Sequence, residues 1–171
     1  MVPGTIAIFD AELAGDHVTL AALLEVTKID EWPPVGSEHD AGAVTFFRDA
    51  HLAEPSVSGW TVYYLCVDDM LVGSAGFIGP PRDGKAEIGY SICQKHRGQG
   101  LATRAVSALI EPAATAGVHT LTAHTKRDNA ASIRVLEHND FVQVGLDSDR
   151  ELLFVRDLAP GTKPSTNARW R

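Results

Sequence analysis

Apolar and β-branched runs in the middle of the chain predict three strands in succession. The runs cover residues 60–67, 71–78 and 85–93, and only the short segments DDM and GPPRDG separate them. Antiparallel strands can be joined by a tight turn, whereas a parallel crossover needs a dozen or more residues. We therefore expect the three strands to be antiparallel neighbours in one sheet.

Helical spacing of apolar residues predicts two helices before these strands. Asp16 is a candidate N-cap for the first helix, since a short polar side chain can accept from the free N–H groups of a first turn. The second helix is expected over residues 40–52, with Phe47 and Leu52 facing inward. In front of both, residues 5–9 favour a short opening strand.

After the strands, the pattern alternates between helical and strand periods. The expected order is a helix over 101–116, kinked or interrupted by Pro112, a strand over 119–125, a helix over 129–138, and strands near 141–144 and 151–158. The connection from the strand at 85–93 through the first of these helices is long enough for a parallel crossover.

The length and composition fit one domain. The sequence has 171 residues, of which 44% are hydrophobic, and this is enough for one sizeable core. No internal repeat or linker divides it. We expect a single domain over residues 1–158, followed by a mobile tail over residues 159–171, where no period is found.

Charge and cysteine content narrow the classes of partner. A net charge of −7 and a pI near 5.4 argue against binding to nucleic acid and favour a cationic partner.

Only two cysteines are present, both inside apolar runs, so we expect a reducing, cytoplasmic location without disulfides. The histidines lack metal-ligand spacing, and no apolar stretch approaches the ~20 residues that span a bilayer, so neither a metal nor a membrane is expected.

The segment QKHRGQG, residues 94–100, joins the third strand to a helix. Gly98 and Gly100 let the main chain approach an anion at the positive end of the helix dipole, and Arg97 adds a cation. This pattern predicts a phosphate site, although a tight structural turn is an equally simple explanation. A dinucleotide fold fits less well, because Thr103 replaces the third glycine of its motif and the preceding strand belongs to an antiparallel meander.

Two segments in order, EIGYSICQKHRGQGLATRAV and NAASIRVLEHNDF, resemble the acyl-CoA-binding core of the GNAT superfamily of N-acetyltransferases. Arg97, Gly100 and Ala102 match the family's Arg/Gln-x-x-Gly-x-Gly/Ala pyrophosphate loop. Within this superfamily, the two segments resemble the branch that includes the ribosomal-protein N-terminal acetyltransferases. It is specific over residues 70–145 and weak in the N-terminal third.

The resemblance implies an α/β (α+β) fold with a mostly antiparallel sheet of six or seven strands, splayed in the middle, with helices on both faces. Acetyl-CoA would lie in the split as a co-substrate, with its pantetheine arm along the third strand and its pyrophosphate in the glycine loop. The residues expected to bind it are Ile92, Cys93, Gln94, Arg97, Gly98, Gln99, Gly100, Leu101, Ala102, Thr103, Asn129 and Ser132.

Glu87, Gly89 and Ser91 share one face of their strand, since side chains alternate along a strand. Two small residues beside a carboxylate leave room for an amine, and family members often place a glutamate base on this strand. Glu87 is the predicted base, and Glu87 and Ser91 are predicted to contact the substrate. Alternatively, Glu87 is a solvated residue on a wet strand face. Trp32, in EWPP, forms either part of the acceptor wall or a hydrophobic plug.

The tyrosine that the family commonly uses as an acid is absent, because Leu136 stands at its position. In the branch that this chain resembles, a serine at the position of Ser132 can hydrogen-bond the sulfur, so Ser132 is the predicted acid. A purely local alternative makes Asn129 a helix N-cap with Ser132 in the first turn. Asp140 stands where the family has glycine, in a position that tolerates the left-handed conformation.

Together these features predict an acetyltransferase that moves an acetyl group from acetyl-CoA to a primary amine by direct attack in a ternary complex. The amine is a protein N-terminus or a small molecule, and the protein is expected to be a monomer or homodimer. Two alternatives remain: a catalytically silent acyl-CoA sensor, which the missing tyrosine suggests, and a nicotinamide-dependent oxidoreductase.

Overall fold

The computed structural model describes residues 1–37 and 39–158, apart from the side chain of Ser58. The strands are β1 (Val2–Pro3), β2 (Val62–Val67), β3 (Met70–Phe77), β4 (Lys85–Ile92), β5 (Thr120–Thr125), β6 (Val142–Leu146) and β7 (Leu152–Asp157). The helices are α1 (Ile6–Leu13), α2 (His17–Leu23), α3 (Ala41–Ala53), α4 (Leu101–Thr115) and α5 (Ala130–His138), with short 3₁₀ turns at Pro55–Gly59 and Gln94–His96. None of the helices in these ranges is long and apolar enough to cross a membrane.

The strands form a seven-stranded sheet in the order β1-β2-β3-β4-β5-β7-β6. All neighbours are antiparallel except β4 and β5, which are parallel and are connected through α4. The mixed, mostly antiparallel sheet that the sequence predicts is therefore confirmed, including the meander β2-β3-β4.

The sheet splays between its two parallel strands. β4 and β5 pair only over Lys85–Glu87 and Thr120–Thr122. Beyond this point β4 continues to Ile92 while it pairs with β3 alone, so its other edge is open. The separation of the two strands creates a cleft in the middle of the sheet.

Helices cover both faces of the sheet and bury two separate cores. On one face, α4 and α5 pack against the strands through Leu101, Ala105, Leu109, Ala113, Leu136, Leu65, Phe77, Ile88 and Phe154. On the other face, the N-terminal helices pack through Ile8, Phe9, Leu20, Val44, Phe47, Val62, Tyr64 and Leu71. Burial of these apolar side chains is the main stabilising contribution to the fold.

The N-terminal third departs from expectation at two points. The strand expected over residues 5–9 is wrong: Thr5 caps α1 through its hydroxyl, which accepts from Ile8 N at 3.3 Å. A short apolar run has no period long enough to separate a buried strand from a buried helix. The inward orientation of Leu52 in α3 is also wrong, since this residue is 52% exposed and His51 takes the buried position.

The remaining helices match the sequence closely. Asp16 and Asn129 cap α2 and α5 through their side chains, as expected. α4 continues through Pro112 to Thr115, so the interruption considered there is absent. Asp140 adopts φ of 57°, the left-handed conformation expected after α5. The tail expected over residues 159–171 lies outside the described residues.

Candidate acyl-CoA and amine site

The splayed sheet opens into a cleft of about 970 Å³. Its walls come from β4, the glycine loop, the start of α4, the end of β5 and the first turns of α5, and its N-terminal side comes from the loop before α3. The sequence-predicted residues Glu87, Ser91, Ile92, Asn129 and Ser132 line it. Residues predicted to contact the cofactor and residues predicted to contact the amine therefore line one cavity.

The glycine loop reaches α4 with two left-handed residues. Gly98 has φ of 76° and Gly100 has φ of 73°, and no protein atom lies within 4 Å of a Cβ built on either residue. Gly100 is the N-cap of α4, and no side chain caps this helix. The first N–H groups of a helix have no partner within the helix. The loop and the helix start thus present main-chain donors beside open space.

Most residues of the loop 97–103 line the cleft. Gly98, Gly100, Leu101, Ala102 and Thr103 line the cleft, and so does Arg97. Gln99 is exposed in the same turn but is not among the lining residues. A Cβ would fill the space beside the glycines, so the site fits an anionic group such as a pyrophosphate.

Arg97 also has a structural task. Its Nε donates to the carbonyl of Ile92 at 3.0 Å, and its Nη2 donates to the carbonyl of Val35 at 3.4 Å. The guanidinium therefore ties the glycine loop to β4 and to the loop before α3. Its positive charge remains beside the proposed phosphate position.

The main chain of residues 92–94 is partly paired within the protein. Cys93 donates its N–H to the carbonyl of Val72 and accepts from the N–H of His96, both at 2.9 Å. The carbonyl of Gln94 accepts from the N–H of Arg97 at 3.3 Å. The pairing of this segment with a pantetheine arm stays a prediction. It rests mainly on the N–H groups of Ile92 and Gln94, because both carbonyls already accept from Arg97.

The small face of β4 lies towards the cleft. Glu87 is half-buried there, and Gly89 and Ser91 follow it along the cleft. Across the sheet, Ser91 is paired with Ser74 and Gly89 with Gly76. The floor beyond Glu87 therefore has a row of two glycines, which Thr61, Val62 and Ile78 approach closely, and then a row of two serines.

Ser132 makes a contact that the sequence did not predict. Its hydroxyl lies 2.7 Å from the hydroxyl of Tyr90, which also donates to the Ser132 carbonyl at 3.1 Å. Burial raises the pKa of Tyr90 to about 12, although the hydrogen bond with Ser132 acts in the opposite direction. Asn129 accepts from Ser132 N at 3.1 Å, so its local role as an N-cap is present.

A buried polar cluster on the N-terminal side was missed by sequence reasoning. The Glu12 carboxylate accepts from Trp32 Nε1 at 2.7 Å and from the Tyr64 hydroxyl at 2.5 Å. His39 Nε2 lies 2.8 Å from the same carboxylate, and His39 Nδ1 lies 3.3 Å from Ser74 Oγ. The available signal was the presence of two acids, Asp10 and Glu12, in the apolar run IAIFDAELA, the first part of which was assigned to a strand.

Glu12 is ionised in this cluster. Burial raises the pKa of the Glu12 carboxyl, but the contacts with His39, Tyr64 and Trp32 together outweigh it. The net result is a pKa below the ordinary value for glutamic acid. The carboxylate is therefore a buried negative charge held by three donors.

Trp32 and Cys93 lie behind the cleft rather than in it. Trp32 is 8% exposed, belongs to the N-terminal core, and packs edge-on against His39 with ring centroids 4.7 Å apart. This is the arrangement of a hydrophobic plug, and any contribution of Trp32 to the acceptor wall acts through His39. Burial raises the pKa of the Cys93 thiol to about 11, so it is a poor nucleophile at neutral pH.

The splayed sheet, the glycine loop and the cleft define an acyl-CoA-dependent acyltransferase fold. A family model described as an acetyltransferase (GNAT) domain matches residues 11–142. Because this range is well over half of the sequence, the chain belongs to the GNAT acetyltransferase family. The resemblance of the two core segments to the GNAT superfamily is thus confirmed at the level of the family.

Individual relatives agree with this assignment. The uncharacterized N-acetyltransferase YjdG of Bacillus subtilis is 29% identical over 141 residues, which are 80% of this chain and 82% of YjdG. A crystal structure of ribosomal-protein-alanine N-acetyltransferase from Brucella melitensis has a TM-score of 0.62 at 22% identity, covering 91% of this chain and 98% of that one. YncA from Salmonella typhimurium, solved with its cofactor acetyl-CoA, has a TM-score of 0.57 at 23% identity and covers 96% of both chains.

Proposed function

We propose that this GNAT protein transfers an acetyl group from acetyl-CoA to a primary amine by direct attack in a ternary complex. The observation that carries the proposal is the shared cleft. One end of it has main-chain donors at an uncapped helix start, and its floor has a half-buried carboxylate beside two glycines. A phosphate-bearing acyl donor and a cationic acceptor therefore fit the same cavity.

Residues 97–103 would hold the pyrophosphate of acetyl-CoA, and Ile92 and Gln94 would pair with the pantetheine arm. Asn129 and Ser132, on the opposite wall, would contact the arm near its thioester. A main-chain site of this kind needs glycine at the turn rather than particular side chains, which fits the open space beside Gly98 and Gly100.

Glu87 would attract the ammonium form of the acceptor and take its first proton, directly or through a water. Two other acids near the cleft are less suited to this role. Asp30 is paired with Lys28 at 2.9 Å, and Glu31 is paired with Lys95 at 3.4 Å, and neither acid lines the cleft.

Ser132 would supply a proton to the leaving thiolate in place of the missing tyrosine. The Tyr90 hydroxyl has one hydrogen, which it can give either to the Ser132 carbonyl or to Ser132 Oγ. When it donates to Oγ, the Ser132 hydroxyl is left to donate into the cleft, so Tyr90 is a positioning residue. Leu136 cannot take part, because it is fully buried in the core.

The class of acceptor is proposed at two levels. The acidic net charge and Glu87 support a cationic amine in general. A protein N-terminus is the finer proposal, in line with the ribosomal-protein branch that the core segments resemble.

The two free cysteines, Cys66 and Cys93, support a reducing, cytoplasmic location.

The experiment is a titration of acetyl-CoA, followed by an assay of free-thiol release with a panel of amines. The panel contains peptides with different N-terminal residues, the same peptides with blocked N-termini, polyamines and aminoglycosides. We expect binding and thiol release that depend on a free amine. Binding without amine-dependent release would identify a sensor instead, and binding of NAD in place of acetyl-CoA would identify an oxidoreductase.

A further inference from the structure

Three side chains connect the cleft to a buried negative charge. Ser74 and His39 line the cleft, and Glu12 lies behind them. Ser74 Oγ is 3.3 Å from His39 Nδ1, and His39 Nε2 is 2.8 Å from Glu12 Oε1. The His39 side chain is 6% exposed and that of Glu12 is 9% exposed, so solvent weakens neither contact strongly.

The protonation states in this cluster follow from its contacts. Glu12 is ionised and can only accept, so His39 Nε2 carries a hydrogen and donates to it. In the neutral imidazole the other nitrogen, Nδ1, is then an acceptor. The Ser74 hydroxyl is therefore the donor in its contact with His39, and the oxygen of Ser74 keeps lone pairs available to a group in the cleft.

Strand register separates this cluster from Glu87. Ser74 is paired with Ser91, and Ile78 N donates to the carbonyl of Glu87 at 2.9 Å. Since a strand rises about 3.3 Å per residue, the Cα atoms of Glu87 and Ser91 are about 13 Å apart along β4. The Ser74–His39 pair and Glu87 thus lie at opposite ends of the glycine row, so a nitrogen in contact with Ser74 Oγ reaches Glu87 through water.

The proposed reaction removes two protons from the acceptor nitrogen. A protonated amine loses one proton before its nitrogen can attack the thioester carbon. The nitrogen loses a second proton after the new C–N bond has formed, because an amide nitrogen is neutral. Glu87 accounts for the first of these protons, and the second is open to a further group in the cleft.

We infer that Ser74, His39 and Glu12 form a relay that accepts the second proton of the acceptor nitrogen. This inference rests on the proposed acetyl transfer. As the nitrogen gives its proton to Ser74 Oγ, the hydrogen of the Ser74 hydroxyl passes to His39 Nδ1. The resulting imidazolium is paired with Glu12, and the buried cluster becomes neutral overall.

Bonds and protons balance in this scheme. The C–N bond forms and the C–S bond breaks, and the electron pair of the C–S bond leaves with the thiolate. The two protons from nitrogen are first held on Glu87 and His39. One proton finally resides on the CoA sulfur, with Ser132 as the donor that is afterwards reprotonated, and the other is released to solvent.

The surroundings of His39 favour this role. Two titratable groups contact the His39 ring, namely the Glu12 carboxylate from α1 and the Tyr64 side chain from β2. Trp32 and Ser74 also contact the ring, and both are neutral. The charged group that contacts the ring is thus the Glu12 carboxylate, which can pair with the imidazolium formed in the relay. Glu12 acts through His39 and is a positioning residue.

The test compares the pH dependence of turnover in Ser74→Ala, His39→Asn and Glu87→Gln. High pH deprotonates the amine before it binds, so it compensates for loss of the first proton acceptor. High pH does not compensate for loss of the second proton acceptor, because the nitrogen becomes acidic enough to lose its second proton only after it has attacked the thioester carbon. We expect kcat of Ser74→Ala and His39→Asn to fall by a factor of ~10 or more at every pH, within the range typical of positioned acid–base groups.

Thr125→Val is the matched control, since it removes a hydroxyl from another residue that lines the same cleft and keeps the shape of the side chain. It is expected to leave kcat unchanged. The acetyl-CoA Kd and the Tm of Ser74→Ala should equal those of the wild type, which excludes a folding defect. An unchanged kcat, or a loss that shrinks with pH as in Glu87→Gln, would overturn the relay. Absence of amine-dependent thiol release in the wild type would instead overturn the proposed function.

Discussion

At the scale of single residues, Glu87 is the carboxylate on which the proposed chemistry depends most. Amines are mostly protonated at neutral pH, with pKa values near ~10.4 for lysine-type groups and ~8 for α-amines. Replacing Glu87 by Gln keeps the shape and removes the basicity. We predict a fall in kcat/KM by a factor of ~10²–10⁴ at neutral pH, which shrinks as pH rises.

The measurement for Glu87→Gln is a pH–rate profile alongside an acetyl-CoA titration, in which the Kd should stay unchanged. Glu151→Gln is the control, because Glu151 is another carboxylate that lines the cleft. This control should alter the rate little. Full activity of Glu87→Gln at neutral pH would remove Glu87 from the mechanism.

Ser132 and Tyr90 provide a second prediction for individual side chains. A CoA thiol is much more acidic than an alcohol, so protonating the thiolate is a modest demand. Ser132→Ala should therefore lower kcat more than it weakens acetyl-CoA binding. Tyr90→Phe should give a smaller loss in the same direction, since it removes only the group that orients the serine hydroxyl. Steady-state kinetics of both variants would test this, and unchanged kcat in both would leave water as the acid.

At the scale of secondary-structure elements, α4 offers a matched pair of glycines. Gly100 precedes the helix with φ of 73° and Gly117 follows it with φ of 84°, and neither has a protein atom near a built Cβ. Alanine at either position costs about 1–2 kcal/mol in backbone strain. Only Gly100→Ala places its methyl group beside the proposed phosphate.

We therefore expect Gly100→Ala to weaken acetyl-CoA binding by a factor of ~10 or more, while Gly117→Ala leaves it unchanged at a similar loss of Tm. Calorimetric titration and thermal unfolding of the two variants measure both effects. Equal acetyl-CoA affinities in the two variants would show that the loop has only a structural role.

Most elements could be predicted from local sequence, and the exceptions have physical causes. Turn residues and long periodic runs located β2, β3, β4 and α4 to within about two residues. Residues 5–9 were assigned to a strand because so short an apolar run shows no helical period, although Ala7 is exposed and only Ile8 and Phe9 are buried. In α3 the buried position seven residues after Val44 is His51, a polar residue that the apolar pattern passes over.

At the scale of the whole molecule, the Glu12 cluster links α1, the Trp32 loop, β2 and β3. Since the folded-state pKa of Glu12 is lowered, its ionisation contributes stability above the unfolded pKa, and this stability is lost as pH falls through the folded value. Glu12→Gln would leave buried donors without a charged acceptor. We predict a loss of about 3 kcal/mol at neutral pH.

For a chain of this length, such a loss corresponds to a fall in Tm of about 10 °C. The difference between wild type and Glu12→Gln should become smaller as the pH is lowered from 7 towards 3. Thermal unfolding across this pH range is the measurement, with the exposed Glu137→Gln as a control. A difference in Tm that stays constant over the whole pH range would contradict the account.

The cleft and the polar cluster differ in how far sequence could predict them. The cofactor side of the cleft is contiguous in sequence, from β4 through the glycine loop to α4, so a local motif identified it. The Glu12, His39 and Ser74 cluster joins residues 27 and 35 positions apart. Only the packing of the N-terminal helices on the sheet brings them together, and no local pattern encodes that packing.

The most direct test of the central claim follows a label from acetyl-CoA to the acceptor. The protein is incubated with acetyl-CoA deuterated in the acetyl group and with peptides that carry a free or a blocked N-terminus, and the products are analysed by mass spectrometry. The account predicts labelled acetyl on the amine nitrogen, with one free CoA thiol released for each label. Label recovered only as acetate or as intact acetyl-CoA, with all the amines of the panel unmodified, would contradict it.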